Sequence, residues 1–395
     1  MYQFSNSRFV FCRETPNPGF KIKPTNLFCA LLVLKFFCGE MAFCSSGQIL
    51  NDIFYQNPAV LNSINKVQII GGNIIINPNI KFEGTSYGRN GSSNSNVTDY
   101  LPYILAAYRF TEKLVLGINI TPSAYGHLDW PVNSIVSQTS TVTKLLYYRI
   151  GFQSSYQFTD TLALGFGFNL EDNAQCQLNF VVPGQGNQVN SVSGLNYTGD
   201  LGLYYKIDSK TNLAIAGYTQ VSTYGKGTSA SETLIVNNLS LNISEAPIVY
   251  LGLEHFVNDK WFLEGKVYWS GWSIQKNIDF TNTTTGTYSV PTNWKDVWSF
   301  QAITRYAIRE KLALLGSIIY ETNPVPLATN AIGYPLAASG SLSGGVDVAL
   351  RKDLSIQAIY SYGAFLPNSP INNANSVGTI NAHFQAVALQ LIYKT

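Results

Sequence analysis

Apolar and polar residues alternate through most of the chain, from residue 66 to the C-terminal end. A period of two indicates β-strands, because successive side chains of a strand point to opposite faces. Each segment is long enough to cross a bilayer, for which roughly 9–11 tilted residues suffice. The pattern predicts about fourteen strands, at residues 66–83, 102–110, 113–126, 144–158, 161–178, 197–207, 211–223, 247–257, 260–274, 294–308, 311–321, 338–350, 353–365 and 379–393.

The connections between these segments are of two alternating kinds. Very short turns, such as residues 111–112 and 159–160, alternate with long stretches rich in Asn, Ser, Thr and Gly, such as residues 85–99 and 275–293. Outer-membrane barrels have tight periplasmic turns and long outward loops, and an even strand number leaves both termini on the periplasmic side. The predicted fold class is therefore all-β, a transmembrane antiparallel β-barrel of about 14 strands formed by residues 66–395.

The alternation also assigns a face to each residue. In the strand at 161–178, Phe166 and Phe168 are predicted to face lipid, and Asn169 and Glu171 the lumen. The same rule places most charges inside: Arg149, Lys266, Arg305, Glu254, Glu264, Asp200 and Asp347. A Lys or Arg on the lipid face at mid-depth would cost about 2–4 kcal/mol.

Aromatic residues cluster beside the short turns, where a periplasmic aromatic girdle is expected. They are Tyr108, Phe110, Tyr156, Phe158, Phe256, Trp261 and Tyr306. The alternative for these aromatics is the core of a soluble β-protein.

The composition favours the barrel. Only 12% of the residues are charged, against about 25% in a typical soluble domain. The net charge of +2 and the lack of a basic stripe give no reason to expect a nucleic-acid partner.

The N-terminal region resembles a targeting segment. Lys21 and Lys23 precede an apolar stretch at residues 27–34, and small residues at 42–46 suit cleavage near residues 44–46. Residues 1–45 are therefore predicted to be an N-terminal extension and signal peptide. Of the five cysteines only Cys176 lies beyond this segment, so no disulfide framework and no metal-binding spacing is expected.

Several motifs occur in the order and spacing of one known family. They are Asn57-Pro58-Ala59 before the first strand, residues 72–78, Tyr125-Gly126, residues 269–273, residues 293–296 and residues 320–326. On these motifs the chain resembles the long-chain fatty-acid transporter family of Gram-negative outer membranes, the FadL/TodX-type proteins. The resemblance covers about 340 residues.

This resemblance implies a fourteen-stranded barrel with an N-terminal hatch in its lumen, here a short segment at residues 46–65 that contains Asn57, Pro58 and Ala59. It implies passive transport of long-chain fatty acids or other hydrophobic small molecules. The ligand would be caught on outward loops, bound in a lumen pocket and released sideways near the third strand. Apolar residues for capture are present at residues 180–182 and 234–241.

The sideways exit would come from an inward kink of the third strand, which contains Pro122 and Gly126. Proline removes a ladder donor, and glycine loosens the backbone. The alternative is that Pro122 only ends the strand where a loop begins. The resemblance further implies outer-membrane lipid, lipopolysaccharide and the barrel-assembly machinery as partners, and a monomeric protein.

A transporter of acids also needs a cation that can meet a carboxylate away from bulk water. The inward cations Arg149, Lys266 and Arg305 are candidates, with Glu254 and Glu264 as partners. Inner acids are as numerous as inner bases, so the alternative is a structural network of ion pairs.

Enzymatic chemistry has no support in the sequence. The chain has three histidines, and none lies in a nucleophile or metal motif. No cofactor, metal or catalytic residue is expected. Two other functions stay open: a general diffusion porin with a water-filled lumen, which the short hatch favours, and an adhesin or purely structural barrel.

Overall fold

A computed structural model of the protein describes residues 57–395. The predicted targeting segment and the first part of the hatch, residues 46–56, lie outside the described residues. Fourteen of the strands form one wall. They are β1 (Val67–Ser86), β3 (Asp99–Arg109), β4 (Leu114–Asp129), β5 (Val142–Gln157), β6 (Leu162–Val182), β8 (Leu195–Lys206), β9 (Thr211–Tyr218), β12 (Ile248–Asn258), β13 (Trp261–Ser270), β16 (Val297–Arg309), β17 (Leu312–Glu321), β18 (Ser339–Ala349), β19 (Leu354–Phe365) and β21 (Ser376–Lys394).

The wall closes on itself between its first and last strands. β1 pairs antiparallel with β21 from Gln68 opposite Lys394 to Ser86 opposite Ser376, and its other edge pairs with β3. Every predicted segment overlaps one wall strand. The closed antiparallel barrel of fourteen strands confirms the predicted fold class.

Seven further strands extend the wall at its outer end. They are β2 (Arg89–Asn96), β7 (Gly186–Ser193), β10 (Val221–Ala230), β11 (Ile235–Glu245), β14 (Asn277–Thr283), β15 (Gly286–Pro291) and β20 (Ser369–Asn372). The sequence predicted polar loops in two of these regions, residues 85–99 and 275–293. The prediction of loops was wrong there because these strands form by backbone pairing within hairpins and do not bury alternate side chains. The largely exposed β2, which pairs with β1, is an example.

Four of the tight turns at the other end share one feature. Each of the four begins with a residue whose side-chain oxygen accepts a hydrogen bond from the backbone N–H three positions later. The donors lie at 2.8–3.1 Å in these turns, which begin at Thr111, Thr159, Asp208 and Asn258. Backbone N–H groups of the turn, that of Lys210 first, also lower the pKa of Asp208. The residue types at these turns therefore fix the hairpins locally.

The two faces of the wall match the alternation. In β6, Phe166 and Phe168 are exposed on the outside, whereas Asn169 and Glu171 are fully buried inside. Most of the predicted girdle is likewise exposed beside the turns. Phe256 is an exception: it is half-buried and packs on Phe262 with 5.2 Å between ring centroids, because even-numbered positions of β12 face inward.

Among the described residues, no helix is long and apolar enough to span a membrane.

The depth of a residue on the outer face sets the cost of a charge there. We expect Phe166→Lys, in the middle of the exposed apolar row from Leu164 to Phe168, to lower the free energy of unfolding by about 2–4 kcal/mol, and Phe158→Lys, beside a turn, by about 0–1 kcal/mol. Urea unfolding in lipid vesicles, followed by heat-modifiable gel migration, measures both. Equal losses for the two variants would contradict the assigned membrane position.

Candidate functional site

The wall is interrupted between β3 and β4. The two strands pair only over the part nearest their tight turn. The pair farthest from that turn is Ile104 opposite Ile120. Further out, β3 pairs with β1 alone, and β4 pairs with β5 alone. Residues 99–103 of β3 and 121–126 of β4 therefore share no backbone ladder, and we call this stretch the β3–β4 gap.

Pro122 lies where β4 leaves β3. The register between β4 and β5 shifts between Pro122 and Ala124, which marks a β-bulge at Ser123. Proline has no N–H for a ladder, and a bulge bends the strand that contains it. β4 remains a strand as far as Asp129, so the alternative in which Pro122 ends the strand does not hold. Pro102, on the β3 side of the gap, removes a second donor.

Beyond the bulge, β4 turns into the lumen. Tyr125 packs in an apolar cluster with Leu101 and Leu105 from the inner face of β3 and with Phe384 from β21. Gly126 lies opposite a residue of β5 in regular pairing, and a Cβ there would meet open space. The bend is therefore at Pro122, and Gly126 leaves free volume beside the bent strand.

Side chains connect the two edges of the gap where the ladder is missing. Asp99, at the outer end of β3, accepts a hydrogen bond from Tyr125 Oη at 2.8 Å, and the same carboxylate oxygen lies 2.6 Å from His127 Nδ1. Its other oxygen lies 3.3 Å from Lys144 Nζ on β5. One carboxylate thus holds the bent strand and its neighbour at the rim of the gap.

The Asn57-Pro58-Ala59 motif lies inside the barrel, against β6 and β8. Asn57 Oδ1 accepts a hydrogen bond from the Ala59 backbone N–H at 2.9 Å and caps the short 3-10 helix Pro58–Ser63. Asn57 Nδ2 donates to the backbone oxygen of Leu203 at 2.9 Å. The motif therefore both starts the helix and fixes it to the wall.

Two glycines on the inner face make room for the motif. A Cβ at Gly202 would lie 1.9 Å from Asn57 Oδ1, and one at Gly165 would lie 2.1 Å from the backbone nitrogen of Ala59. Any side chain at either position would displace the hatch.

The three predicted lumen cations all face acids of the inner wall. The pairs are Arg149 with Glu171, Lys266 with Glu264 at 3.3 Å, and Arg305 with Asp347 at 3.2 Å. This arrangement matches the structural network that the sequence left as an alternative. A ligand carboxylate would have to compete with an existing partner at each of these cations.

Four of the five predicted ligand-binding residues lie close together on the wall. Glu254 of β12 lies opposite Glu264 of β13, Lys266 follows on β13, and Arg305 lies on the adjoining β16. Arg149, on β5, stands apart from them. No group of three or more His, Cys, Asp or Glu residues in the described part of the chain is placed to hold a metal ion.

Arg149 belongs to a second polar cluster, which supports the bend. Its partner Glu171 is buried and accepts hydrogen bonds from Thr198 Oγ1 at 3.3 Å and from Ser123 Oγ, the bulge residue, at 2.6 Å. The Arg149 guanidinium carbon also lies 5.4 Å from the ring centroid of Tyr218. The bulge of β4 is therefore held from β6, through an acid that Arg149 neutralises.

A pocket of about 470 Å³ opens at the outer end of the barrel, among the extension strands. Phe280 and Tyr288 stack in its wall with 4.9 Å between ring centroids, and Phe180 meets Tyr288 edge-on at 6.5 Å. Leu178, Val290 and Tyr334 add to its apolar lining. Burial raises the pKa of the Tyr288 and Tyr334 phenols above the ordinary range, so both stay neutral. The pocket is therefore uncharged.

Sequence reasoning missed three groups that the fold brings together. These are Asp99 with His127 and Lys144, Glu171 with Ser123, and Arg109, which donates to the backbone oxygens of Ile64 and Asn65 at the end of the hatch. The sequence offered one indication of these contacts: each group contains a polar residue in or beside a membrane-spanning strand.

Comparison with known proteins gives one family. A family model described as "Outer membrane protein transport protein (OMPP1/FadL/TodX)" matches residues 40–391. The long-chain fatty acid transport protein of Salmonella typhi is 21% identical over 365 residues, covering 81% of this chain and 83% of the relative. That of Escherichia coli K12 is 21% identical over 376 residues, covering 81% and 84%. These matches confirm the family resemblance.

Solved structures share the fold. A Pseudomonas aeruginosa FadL homologue superimposes with a TM-score of 0.79 at 15% identity, covering 90% of this chain and 100% of that one. The Pseudomonas putida toluene transporter TodX gives 0.65 at 17% identity, covering 85% and 92%. The family match and the closed barrel confirm the predicted location in the bacterial outer membrane.

The contact between the hatch and the wall can be tested by adding a side chain at Gly202. We expect Gly202→Ala to loosen the hatch, because overpacking costs about 1–3 kcal/mol, and trypsin to cleave at Lys66 roughly tenfold faster as a result. Limited proteolysis with mass spectrometry of the released peptides measures this rate. Gly265→Ala is the matched control, since a Cβ there meets open space on the lipid face. Unchanged cleavage of Gly202→Ala would show that the hatch does not depend on this contact.

Proposed function

We propose that this chain, which belongs to the outer membrane protein transport protein family (OMPP1/FadL/TodX), passes hydrophobic small molecules across the outer membrane without catalysis or energy input. The observation that carries the proposal is the apolar character of the lumen beside the gap. There the inner faces of β1, β3 and β21 contribute Ile70, Ile74, Leu101, Leu105 and Phe384, and the bent β4 adds Tyr125. A diffusion porin has instead a polar, water-filled interior.

The uncharged aromatic pocket at the outer end supports capture from outside. A ligand gains about 0.8 kcal/mol for each CH₂ group that it buries, and the stacked rings of Phe280 and Tyr288 offer such a surface without a charge to desolvate. The pocket is the first stage of the proposed path.

The β3–β4 gap supports sideways release as the last stage. Where a wall strand lacks hydrogen bonds to its neighbour, its backbone forms an unpaired edge. At membrane depth such an edge is tolerated only beside protein or a cavity. Residues 99–103 border such an edge, beside the free volume at Gly126. A hydrophobic molecule that leaves here enters the membrane without crossing water.

Long-chain fatty acids are the substrates that the family relationship favours, with other hydrophobic compounds of similar size as competitors. The same relationship underlies the remaining parts of the proposal: contact with lipopolysaccharide and membrane lipid, insertion by the barrel-assembly machinery, and a monomeric state.

Swelling of proteoliposomes separates transport of hydrophobic compounds from the porin alternative. We expect slow swelling in small sugars, because the hatch and the apolar clusters occupy the lumen, together with uptake of radiolabelled oleate by cells that produce the protein. Fast sugar flux without oleate uptake would instead favour the porin.

The gap can be tested at Gly126. We expect Gly126→Val to reduce oleate uptake several-fold, because the new side chain enters open space beside the bent strand while the barrel still assembles. The matched control is Gly265→Val, which adds the same group on the lipid face. Heat-modifiable migration verifies assembly. Uptake by Gly126→Val equal to that of the control would argue against release through the gap.

A further inference from the structure

A polar groove of about 560 Å³ lies on the outer surface directly above the β3–β4 gap. Its floor is a row of residues that lie opposite one another across five neighbouring strands. From β4 to β10 they are His127, Lys144, Gln177, Ser191 and Thr228. Because residues directly opposite each other share a face of the sheet, the row forms one continuous surface.

The positive charges of the groove are balanced by two acids that lie in or beside it. Lys144 and Lys226 supply two positive charges, and Asp99 and Asp129 supply two negative ones, with His127 as a further donor. Asp99 lies against both Lys144 and His127. Lys144 and His127 are therefore held in contact with an internal carboxylate.

The same face continues from the groove into the apolar interior. One step below the pair of His127 and Lys144 is the pair of Tyr125 and Leu146, on the same face of β4 and β5. Tyr125 is part of the apolar lumen cluster, and Leu146 packs against it. A polar rim and an apolar seam are thus joined along one surface, at the place where the wall has no ladder.

We propose that this groove binds the carboxylate headgroup of an amphiphilic substrate, and that the substrate carboxylate replaces Asp99 at Lys144 and His127. The inference rests on the proposed function and deepens it. The tail of the substrate lies along Tyr125 and Leu146, and displacement of Asp99 releases the side-chain connection across the gap. The groove is then a headgroup station that couples recognition of the acid to opening of the wall.

Charge balance favours a carboxylate over the phosphates of a lipid headgroup. One carboxylate that replaces another at Lys144 leaves this lysine paired, so the exchange leaves no cation without a partner. A lipid with several phosphate charges would need a surplus of cations, whereas Asp99 and Asp129 already match Lys144 and Lys226.

The test compares two probes with the same alkyl tail, laurate and dodecanol, on the detergent-purified mature protein by isothermal titration calorimetry. We expect the double variant Lys144→Gln, Lys226→Gln to bind laurate about tenfold more weakly or worse, as the loss of a charge-assisted hydrogen bond predicts, and to bind dodecanol as the wild type does. We expect Asp99→Asn to bind laurate more tightly, because the competing carboxylate is gone.

Two further variants serve as controls for the loss of positive charge. Lys81→Gln is the matched control, because this exposed lysine pairs with Glu83 away from the groove, and its laurate affinity should equal that of the wild type. Lys144→Arg keeps the charge and should keep most of the laurate affinity. Heat-modifiable migration shows whether each variant is folded.

The outcomes separate the alternatives. Unchanged laurate binding by the double variant, or equal loss for laurate and dodecanol, overturns the headgroup station while leaving the proposed function intact. Stronger competition by inorganic phosphate than by acetate assigns the groove to phosphates and overturns the proposal as well. If the wild type binds neither probe and takes up no oleate, the proposed function fails, and the station fails with it.

Discussion

Hydrocarbon offers no hydrogen-bond partner, so each backbone N–H and C=O of a membrane-spanning strand needs a partner within the protein. Closure of the wall between β1 and β21 meets this requirement for the first and last strands. The tight turns assist it, since Thr111, Thr159 and Asp208 each bind the backbone that begins the next strand. The stretch between β3 and β4 does not meet this requirement by backbone pairing, since the two strands share no ladder beyond Ile104 and Ile120.

The protein compensates for this stretch with side chains and prolines. Pro102 and Pro122 reduce the number of N–H donors on the strands that border the gap. Asp99 holds the bent β4 from the outer end, and Glu171 holds its bulge from β6. Across the gap, the bent strand is therefore connected to β3 by the side chain of Asp99 and by the packing of Tyr125, in place of a backbone ladder.

The inner wall differs from one side to the other. Beside the gap it is apolar, with Ile70, Leu101 and Phe384 packed on Tyr125. Across the lumen, β12 to β18 carry ion pairs such as that between Lys266 and Glu264. The hatch lies against β4, β5, β6 and β8, where glycines admit it. The ion pairs of β13 to β18 thus lie away from the apolar cluster beside the gap.

The sequence alone determined the fourteen wall strands, most of their faces and the positions of the tight turns, because these depend on local properties: a period of two, as at Phe166 and Glu171, and turn residues such as Asp208. It also singled out Pro122, which lies beside the register shift of β4 at Ser123, since proline lacks a donor in any context. The tertiary structure decided which residues meet. Asp99, His127 and Lys144 are far apart in the chain, and strand register together with the bulge at Ser123 brings them together. Register depends on long-range pairing between strands, so no local pattern in the sequence could specify that contact.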